Sequence, residues 1–236
     1  MNKTVRNSLL GGVATLALVA GASAPAFADS DNPTSHPKTL AGIQASAKVK
    51  THARVVKLDK EIVKITKAKH VSDADRTTIL GTLHADVTGM HAVEAKIQAD
   101  TTVASAAADY ATIFTTYRVY AVAIPQSHIA ASADRLTGAT IPRLTAAQTK
   151  LAAALAGPKK SKSTPALLAD LADMSAKISA ASSSVDGLAA NALAVTPAGS
   201  NADHTVLSSE RASLKSAVAD LKKAAADGKK VVKAIR

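Results

Sequence analysis

Lysine is the residue whose placement offers this chain the most chemistry. Lys57, Lys60, Lys64 and Lys67 recur at 3-4-3 spacing, Lys159, Lys160 and Lys162 crowd one short stretch, and Lys222, Lys223, Lys229, Lys230 and Lys233 gather near the C-terminus. An ammonium on a flexible stem acts as a point cation, so rows of it suit contact with polyanions. The first and third groups are therefore the candidate contacts to an anionic polymer. With few Arg and few aromatic residues beside them, such contact should be non-specific and sensitive to salt. A solvated face that keeps an Ala-rich helix in solution accounts for the same pattern.

Other chemistry has thinner support. Seven histidines raise the question of a metal, but His84 and His91, the one close pair on a helix face, are seven residues apart. That is about 10 Å along a helix axis, where chelation wants neighbours at i,i+3 or i,i+4. Tyr110, Phe114, Tyr117 and Tyr120 fall within eleven residues and, with Arg118, could stack a sugar or a base. At helical spacing the same rings serve as core filler. No paired carboxylates, nucleophile elbow or phosphate loop is present, and Ser182-Ser183-Ser184 lies inside a helical pattern with no glycine turn to expose it. The expectation is a non-enzymatic chain with no cofactor and no metal.

The N-terminus indicates where these lysines would act. Lys3 and Arg6 precede an apolar run from Leu9 to Ala20, and Ala26-Phe27-Ala28 has the small-x-small form of a signal peptidase site. This predicts a secretory signal over 1–28, cleaved after Ala28. Its removal leaves 27 Lys and Arg against 18 Asp and Glu, a net charge of +9. The partners available to an exported polycation are anionic cell-wall polymers, acidic lipids or other extracellular polyanions. The chain has no Cys, so disulfides, thiol nucleophiles and Cys-ligated metals are excluded and stability must come from packing.

The elements that position these residues read as helices throughout. Apolar content is 47% while aromatic content is 2% with no Trp, so Ala, Leu, Val and Ile carry the core. Such composition suits close helix approach better than sheet. A polar leader with two prolines covers 29–37. A first helix spans about 38–69 with a stripe at Val55, Leu58, Ile62 and Ile65, placing the four lysines about 200° away. Ser72 should cap a second helix with its stripe at Ile79, Leu83, Met90, Val93 and Ile97, Asp86 being the misfit. Asp100 with Thr101 or Thr102 opens a third, whose rings run toward Pro125. Tyr117 to Ile124 reads as an extended crossing or a fully buried helix, the ring spacing favouring helix. A kink at Pro125 is favoured over a stop, and Pro142 marks a second kink or break.

Gly157-Pro158 ends the following helix, and Thr164-Pro165 opens a fifth with a stripe from Leu167 to Val195. The last helix uses Leu207, Leu214, Val218, Leu221, Ala225, Val232 and Ile235, with Arg211 and Gly228 at the remaining stripe positions. The spacing predicts an all-α, elongated antiparallel bundle of five or six long helices with coiled-coil-like 4-3 packing and a Pro-kinked central helix. The bundle would occupy 38–236, as one body or as two three-helix units meeting near 125. Ser72 to Ile79 and Ser200 to Leu207 share the form S-x-A-D-x-T-x-(I/L), from capping chemistry or from duplication.

The segments Lys69 to Asp75 and Tyr117 to Gln126 resemble a family of secreted helical proteins from high-GC Gram-positive bacteria. The resemblance implies export from a wall-bearing cell and carries over no catalytic or binding residue, since no activity is attached to that family. Composition, signal and resemblance together lead to an expectation of a secreted or envelope-associated interaction protein binding anionic surface polymers. The alternatives are a membrane-active helical protein and an enzyme whose site is assembled across helices.

Overall fold

The computed structural model describes residues 37–236. The signal over 1–28 and all of the 29–37 leader except Pro37 lie outside the described residues. The described chain is all-α, with no strand. In order it runs α1 (Leu40–Lys67), α2 (Asp73–Ala99), α3 (Val103–Thr115), a π-helical turn (Val119–Ala123), α4 (Ile124–Arg135), a second π turn (Leu136–Thr140) and α5 (Ile141–Ala156). A 3-10 turn (Lys160–Lys162), α6 (Pro165–Val185), α7 (Leu188–Leu193), α8 (Pro197–Ala202) and α9 (Ser208–Ile235) complete it. No helix among the described residues is long and apolar enough to cross a membrane.

Helix starts follow capping chemistry. The hydroxyls of Thr39, Ser72, Thr102, Thr164 and Thr196 each accept an amide hydrogen bond from the first turn of their helix, as the sequence predicted at 72 and 164, and the third cap is Thr102 rather than Thr101. The Ser200 echo of Ser72 ends there. Thr196-Pro197 opens α8 first, so Ser200 is a buried residue within that helix and caps nothing. The fifth stripe is buried at Leu171, Met174, Ile178, Ala181, Val185, Leu188 and Ala192. Its helix is not continuous, because Gly187 takes a left-handed φ of 64° and separates α6 from α7.

The described residues form two compact units. The first comprises 37–132 and 189–210. Its centre is the α1–α2 hairpin, with α3 packed on both helices, and its core holds Ile43, Leu58, Ile65, Leu83, Met90 and Ile97 beside Tyr110 and Phe114. Each hairpin helix caps the other. Gln44 on α1 donates Nε2 to the carbonyls of Ile97, Gln98 and Asp100 at the end of α2, all at 3.2 Å. Arg76 on α2 donates its guanidinium to the carbonyls of Ile65, Ala68 and Val71 where α1 ends. Terminal carbonyls of a helix are short of intrahelical donors, Ile65 and Ile97 having only the cap amides of Ala68 and Asp100, and a cation at a helix C-terminus also meets the favourable end of the dipole.

The second unit comprises 133–188 and 211–236. Here α5 packs on α6, and α9 closes on both through Gly228, where an added Cβ would sit 3.2 Å from the Met174 sulfur and 3.8 Å from Leu151. Its core takes Leu144, Leu151, Leu155, Leu171, Met174, Leu221 and Val231.

Both Ile-Pro pairs, 124–125 and 141–142, follow immediately on a five-residue π turn. Proline lacks an N–H and its ring presses on the carbonyl four residues back. The wider i→i+5 turn removes that demand and lets helix pass through the proline. The interruption comes earlier, at Arg118, which takes a left-handed φ of 46°. Asn201 holds this costly conformation in place: its Oδ1 accepts from Arg118 Nε at 2.6 Å while its Nδ2 donates to Thr115 O at 2.8 Å.

Two glycines in α2 give a contrast that checks this packing. A Cβ on Gly81 would meet nothing within 4 Å, whereas one on Gly89 would penetrate the Tyr117 ring. Gly81→Ala should raise unfolding stability by about 0.5–1 kcal/mol. Gly89→Ala should gain nothing or lose, and should recover in the Tyr117→Ala background; denaturant titration of the three variants reads this directly.

Candidate functional site

The four α1 lysines stand on a helix whose buried face is Ile43, Ala47, Thr51, Arg54, Leu58, Glu61 and Ile65. That face is turned about 45° from the apolar stripe read in the sequence, leaving Val55 and Ile62 half-buried on its flank. The turn has a physical cause: three polar residues find partners inside. Thr51 Oγ1 lies 2.7 Å from Glu94 Oε2. Arg54, 1% exposed, has its guanidinium between two rings, 4.7 Å from the Phe114 centroid and 4.8 Å from that of Tyr120, and donates to Lys50 O at 3.2 Å. Glu61 Oε2 is 2.9 Å from His128 Nε2.

The lysines are consequently not equivalent. Lys60 and Lys67 are fully outward, with Val49, Val56 and Val63 exposed on the same face. Lys57 is half-buried. Lys64 turns back, its Nζ 3.4 Å from Glu61 Oε1 and 3.0 Å from His128 Nε2. The Nε2 atom carries either a proton or a lone pair, so it donates to Glu61 or accepts from Lys64. Burial raises the Glu61 carboxyl, but the hydrogen bond and charge of His128, with Lys64 behind them, outweigh burial and hold it below its ordinary range.

In the second unit, α9 carries the remaining candidates, all exposed. Lys230 is engaged, its Nζ 2.8 Å from Asp227 and 3.4 Å from Asp170 on α6. Lys222, Lys229 and Lys233 have no side-chain hydrogen bond or ion pair among the described residues, nor does Lys223. The sequence reading missed two cations in line with them. Arg211 was placed among the apolar stripe positions of this helix and is exposed instead, and Lys215 is exposed one turn on. The buried face of α9 runs through Ala217, Leu221, Ala224, Gly228, Val231 and Ile235, which leaves position 211 outward.

Tyr110 and Phe114 are buried, their centroids 5.2 Å apart, and Tyr110 Oη is 2.9 Å from Ser46 Oγ. These rings are core, and one of them faces Arg54. His84 and His91 are exposed, and no group of three His, Asp or Glu is placed to hold a metal ion among the described residues. Asp86 occupies its α2 stripe position half-buried, with Oδ2 lacking a hydrogen-bond partner, and burial pushes its carboxyl up to about 7. No protein-family model, curated protein or solved structure matches this chain.

Two substitutions probe these positions. Phe114→Ala should cost about 3–5 kcal/mol, since it empties a core site and uncovers one face of Arg54. Asp86 is better tolerated protonated in the folded state, so its contribution is complete below pH 4 and is lost as pH rises through about 7. Asp86→Asn should therefore stabilise by about 1–2 kcal/mol at pH 8, scaled down for residual solvent exposure, with no gain below pH 4. Thermal melts across pH 3.5–8 measure both effects.

Proposed function

We propose that this chain is an exported, non-enzymatic helical protein of the cell envelope or exterior, and that it holds anionic surface polymers through its lysine faces. The observation that carries this reading is where the charge lies. The described residues of the second unit have 15 Lys and Arg against six Asp, a net of +9; those of the first have 12 against 10, a net of +2. Cations concentrated on one folded unit raise the local potential and attract polyanions over a Debye length. The N-terminal signal pattern and the family resemblance support export, with cleavage after Ala28. The finer architecture, five or six long antiparallel helices with a bend at Pro125, belongs to the same proposal; 4-3 spacing and helical backbone on both sides of Pro125 support it.

One observation favours membrane activity as a second reading. Val49, Val56 and Val63 are exposed beside Lys60 and Lys67 on α1, an arrangement that suits the interface of an acidic bilayer. Dye leakage from anionic liposomes tests it.

For the leading reading, the protein beginning at Asp29 is sedimented with isolated anionic cell-wall polymer at 50 and 200 mM salt. Retention at low salt and release at high salt is expected. No retention at 50 mM would overturn the reading.

A further inference from the structure

We propose that one face of α9 is a track for a linear phosphate-backbone polymer. This rests on the polyanion reading above and names the surface and the shape of the partner. Arg211, Lys215, Lys222, Lys229 and Lys233 follow one another at intervals of 4, 7, 7 and 4 residues. At 100° per residue these five fall within a sector of about 40°, and at 1.5 Å per residue the row is about 33 Å long. All five are exposed, all belong to the second unit, and none has a hydrogen-bond or ion-pair partner among the described residues.

The carboxylates are kept off this face. From Arg211 onward the helix has only Asp220 and Asp227, both about 120–180° round from the row. Asp227 is buried and engages Lys230, which therefore stands outside the row, as Lys223 does. An unneutralised line of five cations on a single uninterrupted helix complements a line of charge.

The residues bordering the row distinguish a polymer from a membrane. A helix that lies in a bilayer interface flanks its cations with large apolar side chains that insert. On the outer edge of the row the exposed neighbours are Ala212, Ala219 and Ala226; on the inner edge Leu214, Val218 and Val232 are half-buried, and no large apolar side chain is exposed on α9. Alanines give nothing to insert and let a chain lie close to the helix. The row is too sparse in Arg to read particular groups by paired hydrogen bonds, so recognition is by charge spacing along the polymer.

The test uses long-chain inorganic polyphosphate as the probe and the protein beginning at Asp29. Three proteins are titrated: wild type, the triple Lys215→Gln, Lys222→Gln, Lys229→Gln, and the α1 triple Lys57→Gln, Lys60→Gln, Lys67→Gln. Five contacts should make wild-type affinity fall about 100-fold between 50 and 200 mM salt, and the two cations left in the α9 triple only about sevenfold. The α1 triple should keep the wild-type salt dependence. Glutamine preserves helix propensity, and far-UV circular dichroism and melting confirm that both triples fold. An α9 triple that binds as wild type overturns the track while the polyanion reading stands. Wild-type binding to anionic vesicles in preference to polyphosphate, at equal phosphate, overturns the linear partner. A wild type that binds neither at 50 mM overturns track and polyanion reading together.

Discussion

The first unit is organised around a guanidinium that cannot reach water. A buried cation is expensive unless its charge is spread over partners. Arg54 meets that demand with the faces of Phe114 and Tyr120 and the carbonyl of Lys50. Two of the four rings that this aromatic-poor chain places within 110–120 serve that purpose. The same demand constrains the backbone. Phe114 lies in the last turn of α3 and Tyr120 in the π turn, so the chain must turn sharply between them to bring both rings to one side chain. The left-handed Arg118, clamped by Asn201 from α8, is where that happens. An unfavourable backbone conformation is thus held by the need to surround a buried charge.

With no disulfide and a core of small aliphatic side chains, the helix ends carry unusual weight. Long alanine-rich helices bury little area per residue, so unsatisfied terminal carbonyls weigh more in the balance. The reciprocal capping of α1 by Arg76 and α2 by Gln44 answers this with side chains from the opposite helix, fixing the register of the hairpin as well as its ends. The π turns before Pro125 and Pro142 are the same economy applied within a helix. Each proline removes one donor, and the wider turn before it spares a strained or orphaned carbonyl.

Much of this fold was legible because its signals are local. The caps at Ser72 and Thr164, the choice of Thr101 or Thr102 for the third helix and the stripe from Leu171 to Ala192 depend on residues a few positions apart, and Asp86, whose carboxyl is raised, is visible as the misfit of its stripe. What was not legible depends on partners distant in sequence. The α1 face was misplaced because Thr51, Arg54 and Glu61 count as polar until Glu94, the two rings and His128 are seen beside them. A run of 3-4 spacing through Ile43, Ala47, Arg54, Leu58, Glu61 and Ile65 was present but interrupted by charge. On α9, grouping lysines by proximity hid the row that includes Arg211 and Lys215 and excludes Lys223 and Lys230.

The same geometry separates two uses of positive charge. Beside the outward Lys60 and Lys67, the first unit draws several cations into its architecture: Arg54 into the core, Arg76 onto helix ends, Lys64 onto Glu61 and His128, and Lys96 onto Asp109 at 2.8 Å. A charge engaged in this way has little potential left to offer a ligand, and a polyanion competing for it would first have to break an internal contact. On α9, Lys230 is the cation with carboxylate partners, and Arg211, Lys215, Lys222, Lys223, Lys229 and Lys233 face solvent with none among the described residues. Solvated cations in a row release counterions when a polymer displaces them, and that release drives association. Charge that holds a fold together and charge that meets a partner are therefore told apart by burial and pairing, even where a count of lysines treats them alike.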